Sequence, residues 1–124
     1  MNAVQTGNFS SSNLEHRGWV VGHFLDPDSP FKITDFELKW GNNPRGARKS
    51  VAGSNQIAQT LAILIRGKIQ YDFPETNQTI ILDKEGDYIY WSSGVSHKWE
   101  VLEDVLTFTL RWPSLPDDQI PQPK

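Results

Sequence analysis

Short apolar runs separated by turn residues are the feature that most restricts the fold of this chain. The runs are rich in β-branched and aromatic residues, and Gly, Pro, Asn and Asp stand between them. They lie at residues 18–25, 31–40, 60–73, 79–82, 87–91, 97–102 and 105–112. Such a series predicts antiparallel strands joined by tight turns. Because 124 residues make one compact domain and not two, the pattern predicts a single all-β barrel or jelly roll with about eight to ten strands.

Three local features refine this prediction. The alternation in residues 31–40 changes phase near Thr34, as a β-bulge would cause. Gly67 is expected to form a tight turn between two strands, and Glu103 with Asp104 a tight hairpin. The apolar run within residues 55–65 is also compatible with a helix, which periodicity alone does not exclude.

The two ends of the chain are expected to lie outside the barrel. Residues 1–16 are polar and predict a flexible N-terminal arm, followed by the barrel domain at residues 17–113. Residues 114–124 form a Pro-rich tail, so regular structure is expected to end near Trp112.

Composition excludes several classes of function. The net charge of −3 argues against broad binding to nucleic acid or to an acidic membrane surface. The absence of cysteine excludes disulfides, thiolate metal sites and cysteine nucleophiles. The longest apolar run has five residues, Leu61 to Ile65, far short of a membrane span. With no secretory signal pattern at the N-terminus, the expected location is the cytoplasm.

A spaced motif surrounds one of the three histidines. Gly86 is followed after five residues by Ser92, then by Gly94 and His97. This spacing resembles the second conserved motif of the cupin family, with serine where the family has proline. Gly67 resembles the turn glycine that follows the first cupin motif. The resemblance implies a cupin-type barrel in which His97 begins a strand and its side chain points into the barrel.

The metal ligands that the family would supply are mostly replaced. The family's glutamate position is Thr60 here. Its two further histidine positions are Gly53 and Asn55, or Ser54 and Gln56 if the spacing is one residue shorter. Only His97 is retained, so no cofactor is predicted. A divalent metal held by His97 and unusual ligands is the alternative.

His97, Thr60, Trp99, Gln56 and Arg111 are the candidate ligand-pocket residues. Trp99 shares a strand face with His97 because it lies two residues further on. A lone histidine would titrate near neutrality. Arg111 is either an anion anchor inside the barrel or a strand-end charge in water, and general burial tendencies favour water.

A few further side chains have ordinary interpretations. The basic stretch from Arg45 to Lys49 is expected to be a solvated loop, since it lacks phosphate-loop spacing. His23 could reach the barrel from the first strand, but no spacing rule predicts that it does. Most of the five tryptophans are expected to fill the core.

Three functions remain open. The sequence favours a barrel that binds an unknown small molecule without a metal over an enzyme. A metal-dependent cupin enzyme, similar to oxygenases or isomerases, and a structural or regulatory dimer without a ligand are the alternatives. A homodimer is expected, because residues 18–25 are apolar on both faces and sheet edges need cover.

Overall fold

The described residues form one curled antiparallel sheet of eight strands. The computed structural model describes residues 3–11 and 15–121. A short 3-10 turn at Phe9–Ser11 precedes the strands. The strands are β1 (Trp19–Val21), β2 (Glu37–Asn43), β3 (Arg48–Asn55), β4 (Gln59–Phe73), β5 (Gln78–Leu82), β6 (Tyr88–Trp91), β7 (His97–Trp112) and β8 (Gln119–Pro121). The prediction of an all-β single domain is confirmed, and the helix considered for residues 55–65 is wrong.

Two long strands form the centre of the sheet. β4 and β7 pair along most of their lengths, from Gln59 opposite Trp112 to Asp72 opposite Lys98. β2 and β3 pair with β7, and β5 and β6 pair with β4. A sheet with two such long strands must twist and coil, which encloses one face and creates an interior.

Gly67 does not form a turn; it lies within the single continuous strand β4. Its φ is +94°, and the β4–β7 register shifts on both sides of it. The buried side chains of β4 change parity here, from Ala62 and Leu64 to Ile69 and Tyr71. A bulge therefore keeps apolar side chains on the inner face through the bend of the strand.

The hairpin predicted at Glu103 and Asp104 is also wrong, because both residues lie inside the continuous strand β7. Both are exposed. Asp104 accepts a hydrogen bond from the backbone N–H of Arg45 at 2.9 Å. The two acidic residues mark the bend opposite Gly67 and not a reversal of the chain.

Other strand limits differ from the sequence patterns. β1 and β2 are shorter than predicted, and the proposed bulge at Thr34 falls before β2 begins. The basic stretch near residue 48 begins β3 and is not wholly a loop. Regular structure does not end at Trp112, because β8 pairs with β3 through Ser54 and Ile120.

The core lies on the inner face of β4 and its neighbours. Its buried side chains are Ala62, Leu64, Ile69, Tyr71, Phe73, Leu82, Ile89, Trp91, Val101 and Val105. On the other side of β2, Trp40 packs against Phe108 with ring centroids 5.2 Å apart and against Phe9 at 6.5 Å. Part of the predicted N-terminal arm thus covers the outer surface of the sheet.

No helix within residues 3–11 and 15–121 has the length and apolarity needed to cross a bilayer. The division into arm, barrel and tail, and the homodimer, stay predictions.

Candidate functional site: a basic cavity inside the sheet

The curled sheet encloses a cavity with a narrow inner end and a wide outer end. The inner end has a volume of about 40 Å³ and the outer part about 580 Å³. The outer part is within the size range of small-molecule sites. Six residues line both parts: Trp19, Lys39, Asn43, His97, Trp99 and Arg111.

The cavity wall is built from polar rows on two paired strands. On β2 the row includes Lys39, which lies opposite Thr109 of β7. On β7 the row continues with Thr107 on one side and Arg111 on the other, and all of these line the cavity. Since side chains two residues apart share a face, the strand alternation brings one polar row from each strand to the interior.

The cavity is strongly basic. Its lining includes the side chains of Arg17, Lys39, Arg48, Lys49 and Arg111, and among the described residues it includes no Asp or Glu. The chain as a whole carries a net charge of −3, so positive charge is concentrated here. A concave site of one sign of charge raises the local concentration of ions of the opposite sign.

Two of the lysines have no carboxylate partner. Among the described residues, ion pairs within 4.0 Å do not include Lys39 or Lys49. Instead, Lys39 Nζ lies 5.8 Å from the ring centroid of Trp19 and 5.3 Å from that of Trp99. Arg111 differs, because its guanidinium lies 3.5 Å from a carboxylate oxygen of Glu37.

Burial and mutual repulsion weaken the affinity of both lysines for protons. Burial first, and then the charges of Arg111, Arg17 and Lys49, lower the pKa of Lys39 to about 8. The pKa of Lys49 is also about 8, lowered by burial first and then by Arg111 and Arg17. Both shifts have the sign expected for cations without a counterion.

His97 is neutral at physiological pH. Its side chain is buried, with 2 % of the residue exposed. Burial and then the charge of Lys49 lower its pKa to about 4, against a hydrogen bond with the Val95 carbonyl that raises it. The expected titration near neutrality is therefore wrong for this buried ring. Because a carbonyl only accepts, Nδ1–H donates to Val95 O at 3.2 Å, which leaves Nε2 as an acceptor.

A row of unsatisfied polar atoms lies beside His97. Thr60 is paired with Trp91 on one side and with Arg111 on the other, and all three line the inner end of the cavity. Thr60 Oγ1, Trp91 Nε1 and Arg111 Nε are buried and have no hydrogen-bond partner in the described part of the protein. Buried polar atoms in folded proteins are normally satisfied, so this row fits a bound polar group.

The donor set does not fit a divalent metal. Gly53 lies directly opposite His97 and brings no ligand. A Cβ at position 53 would lie 3.3 Å from Lys49 Nζ, so a lysine amine occupies the space beside it. Asn55 Nδ2 donates to Asp118 at 3.0 Å. In residues 3–11 and 15–121, no three His, Cys, Asp or Glu side chains form a group that could hold a metal. The absence of a bound metal stays a prediction for elemental analysis.

Four of the five pocket candidates named from the sequence line the cavity: His97, Thr60, Trp99 and Arg111. Gln56 does not line it; its side chain is exposed just beyond the end of β3, and its backbone N–H donates to Asp118 O at 2.8 Å. Arg111 is not a strand-end charge in water, because only 14 % of its side chain is exposed.

A buried polar cluster fixes the partner of Arg111. Glu37 Oε2 accepts a hydrogen bond from Ser114 Oγ at 2.9 Å. His23 Nδ1 lies 2.7 Å from the same Ser114 Oγ. His23 thus supports this cluster and is not part of the lining of the basic cavity. The cluster holds the carboxylate of Glu37 in place, and with it the guanidinium of Arg111.

The sequence interpretation missed Lys39, Lys49 and Trp19. A signal was available for Lys39, since every second position from Glu37 to Asn43 lacks an apolar side chain, with Gly41 between the polar residues. The same holds for Thr107, Thr109 and Arg111. Two polar rows in an otherwise apolar barrel indicate a polar interior.

Solved structures with a similar fold come from several bacteria. KdgF from Halomonas sp. is 19 % identical over 68 % of this chain and 74 % of its own, with a TM-score of 0.60. A protein with a double-stranded β-helix domain from Klebsiella pneumoniae is 15 % identical over 74 % and 78 %, with a TM-score of 0.61. A cupin protein from Bacteroides fragilis is 15 % identical over 75 % and 82 %, with a TM-score of 0.58.

Sequence comparison adds no relative: no family model and no curated protein matches the chain. At identities this low, the structural likeness concerns the fold and not the function.

Proposed function

We propose that the barrel of this chain, which has the cupin fold, binds a small organic anion directly through side chains, without a metal. The observation that carries this proposal is the cavity of about 580 Å³, whose described lining has five basic side chains and no acidic one. Within the part of the chain that the structure describes, Lys39 and Lys49 lack counterions of their own. A carboxylate ligand supplies the missing negative charge.

The inner end of the cavity suits a polar group of the ligand. Lys39 and Arg111 donate hydrogen bonds to an anion in this position, and Thr60 Oγ1 lacks a partner there. Charge-assisted hydrogen bonds are about twice as strong as neutral ones. Neutral His97 offers Nε2 as an acceptor, so the ligand also has a hydroxyl or amide donor in this account.

The outer part of the cavity suits a flat apolar group. The indole rings of Trp19 and Trp99 both line it. Aromatic walls with a few convergent polar groups are typical of small-molecule sites. The proposed ligand is therefore a carboxylic acid with a small planar or apolar body.

The alternative of a metal-dependent enzyme has less support. Lys39 and Arg111 line the inner end together with His97 and Thr60, and three more basic residues line the adjoining outer part. By the cupin resemblance, Thr60 stands where the family has a carboxylate, and neither Gly53 nor Ser54, the two candidates for one imidazole position, carries an imidazole. Like charges in a confined cavity disfavour a second cation.

The test compares carboxylates with their uncharged amides. Benzoate and acetate are expected to raise the melting temperature and to quench tryptophan fluorescence, whereas benzamide and acetamide are not. Loss of one charge-assisted hydrogen bond costs roughly 1.5–3 kcal/mol. Lys39→Met and Lys49→Met are therefore each expected to weaken benzoate binding by at least about tenfold.

Lys84→Met is the matched control, since Lys84 is exposed and lies outside the cavity lining. This variant should bind benzoate as the wild type does. Equal effects of the acids and their amides, or undiminished binding by the Lys39→Met, Lys49→Met double variant, would refute the proposal.

A further inference from the structure

Lys39 differs from the other cavity side chains because its amine has no acidic partner in the described chain, lies inside the sheet and is accessible from the cavity. It lines both the inner and the outer part of the cavity, whereas Lys49 lines only the outer part. The Trp19 and Trp99 rings lie near its Nζ, and no acidic group of the described chain pairs with it. A structural lysine would be expected to end in a carboxylate or in water.

The surroundings keep part of this amine unprotonated. With a pKa of about 8, roughly a tenth of Lys39 is the free base at pH 7. A lysine that is desolvated and placed beside other cations is an activated nucleophile toward carbonyl carbons. The cavity thus joins a nucleophile with an anion site.

The two features are close together. Arg111 Cζ lies 4.4 Å from the centroid of the Trp19 ring, the same ring that Lys39 Nζ approaches at 5.8 Å. Both side chains also line the inner end of the cavity, so a ligand whose carboxylate is held by Arg111 occupies the space that Lys39 also borders. A carbonyl bonded directly to the carboxylate is the smallest group that meets both requirements.

We infer that Lys39 forms an imine with a 2-oxo acid whose carboxylate binds to Arg111 and Lys49. This inference rests on the proposed anion site and adds a covalent step to it. The Nζ lone pair forms a bond to the carbonyl carbon while the carbon–oxygen π bond breaks, and one proton passes from the nitrogen to the oxygen. The hydroxyl of the resulting carbinolamine takes up a second proton and leaves as water, while the nitrogen lone pair forms the double bond to carbon. No oxidant or reductant takes part.

Reductive trapping tests the covalent step. The purified full chain is incubated with glyoxylate, pyruvate or phenylpyruvate and sodium cyanoborohydride, and the adducts are mapped by peptide mass spectrometry. The expected result is one main adduct, on Lys39, formed with at least one of the three acids. Trapping at Lys39 is expected to fall by about half or more when benzoate competes at saturation.

Three variants separate nucleophile, anchor and control. Lys39→Arg keeps the positive charge but not the nucleophile, so it should still bind lactate and yield no main adduct. Lys49→Met should keep the adduct on Lys39 but need more of the 2-oxo acid. Lys84→Met should be trapped on Lys39 as the wild type is.

The outcomes distinguish the two proposals. Lactate, the 2-hydroxy acid matched to pyruvate, can bind but cannot form an imine. If lactate raises the melting temperature and none of the three acids is trapped on Lys39, the imine is refuted and the anion site stands. Adducts spread over exposed lysines also refute the imine. If benzoate binds but neither lactate nor the 2-oxo acids do, the imine is refuted and the anion site stands. If benzoate, lactate and the 2-oxo acids all fail to bind, both proposals fall.

Discussion

Replacing Gly67 by alanine is expected to destabilise the protein by more than about 4 kcal/mol, or to prevent folding. A Cβ at this position would lie 2.1 Å from the backbone oxygen of Asp104 and 2.7 Å from the Cα of Val105. Both atoms belong to the backbone of β7, so relief requires the central strands to separate. The φ of +94° adds the cost of a left-handed conformation.

Gly86→Ala is the matched control for this change. Gly86 has a φ of +90°, and a Cβ there would have nothing within 4 Å. Only the conformational cost applies to it, roughly 1–3 kcal/mol. Urea denaturation gives both free energies of unfolding. Equal losses in the two variants would show that the β7 backbone does not restrict the side chain at position 67.

Acid is expected to destabilise the wild type more than a His97→Asn variant. In the unfolded chain the histidine has its ordinary pKa of 6.5, and in the folded protein burial lowers it to about 4. Between these values the unfolded state binds more protons, so the free energy of unfolding falls as the pH falls. This linkage amounts to on the order of 3 kcal/mol between pH 6.5 and pH 4.

The quantity to measure is the difference in the free energy of unfolding between the wild type and His97→Asn. The carboxyl groups contribute equally to both proteins, so their contribution cancels in this difference. Urea denaturation at several pH values gives it. The difference should be constant from pH 7 to pH 8 and should shift by about 3 kcal/mol in favour of the variant down to pH 4. A difference that stays constant over the whole range would show that His97 keeps its ordinary pKa in the folded protein, and a shift in favour of the wild type would show that it is paired with an acid.

The sequence predicted the fold because the strand pattern is dominated by local alternation. Period-two runs and the spacing of Gly86, Gly94 and His97 require only neighbouring residues, and they led to the all-β fold. The same reasoning misjudged Gly67 and Asp104. A glycine and an exposed acidic pair look alike in a turn and in a bulge, and only the pairing of β4 with β7 distinguishes them.

The candidate site was only partly predictable, for a related reason. His97 and Thr60 were named from the resemblance to the cupin motifs, and Trp99 from its parity with His97. Lys39 and Lys49 were not, because charged side chains are mostly exposed and their enclosure arises from distant strands. Lys49 lies opposite Trp99 through β3–β7 pairing, and Lys39 lies opposite Trp19 through β1–β2 pairing. Neither contact is visible in a local pattern.

Proton uptake on carboxylate binding tests the central claim, that an anion binds beside Lys39 and Lys49, most directly. Both lysines have a pKa of about 8, and a bound carboxylate raises it. Titration calorimetry with benzoate at pH 8, in two buffers of different ionisation enthalpy, is expected to show uptake of up to about one proton per ligand. The affinity is expected to fall as the pH rises above 8. Binding without proton uptake at pH 8, or with unchanged affinity at higher pH, would contradict the account.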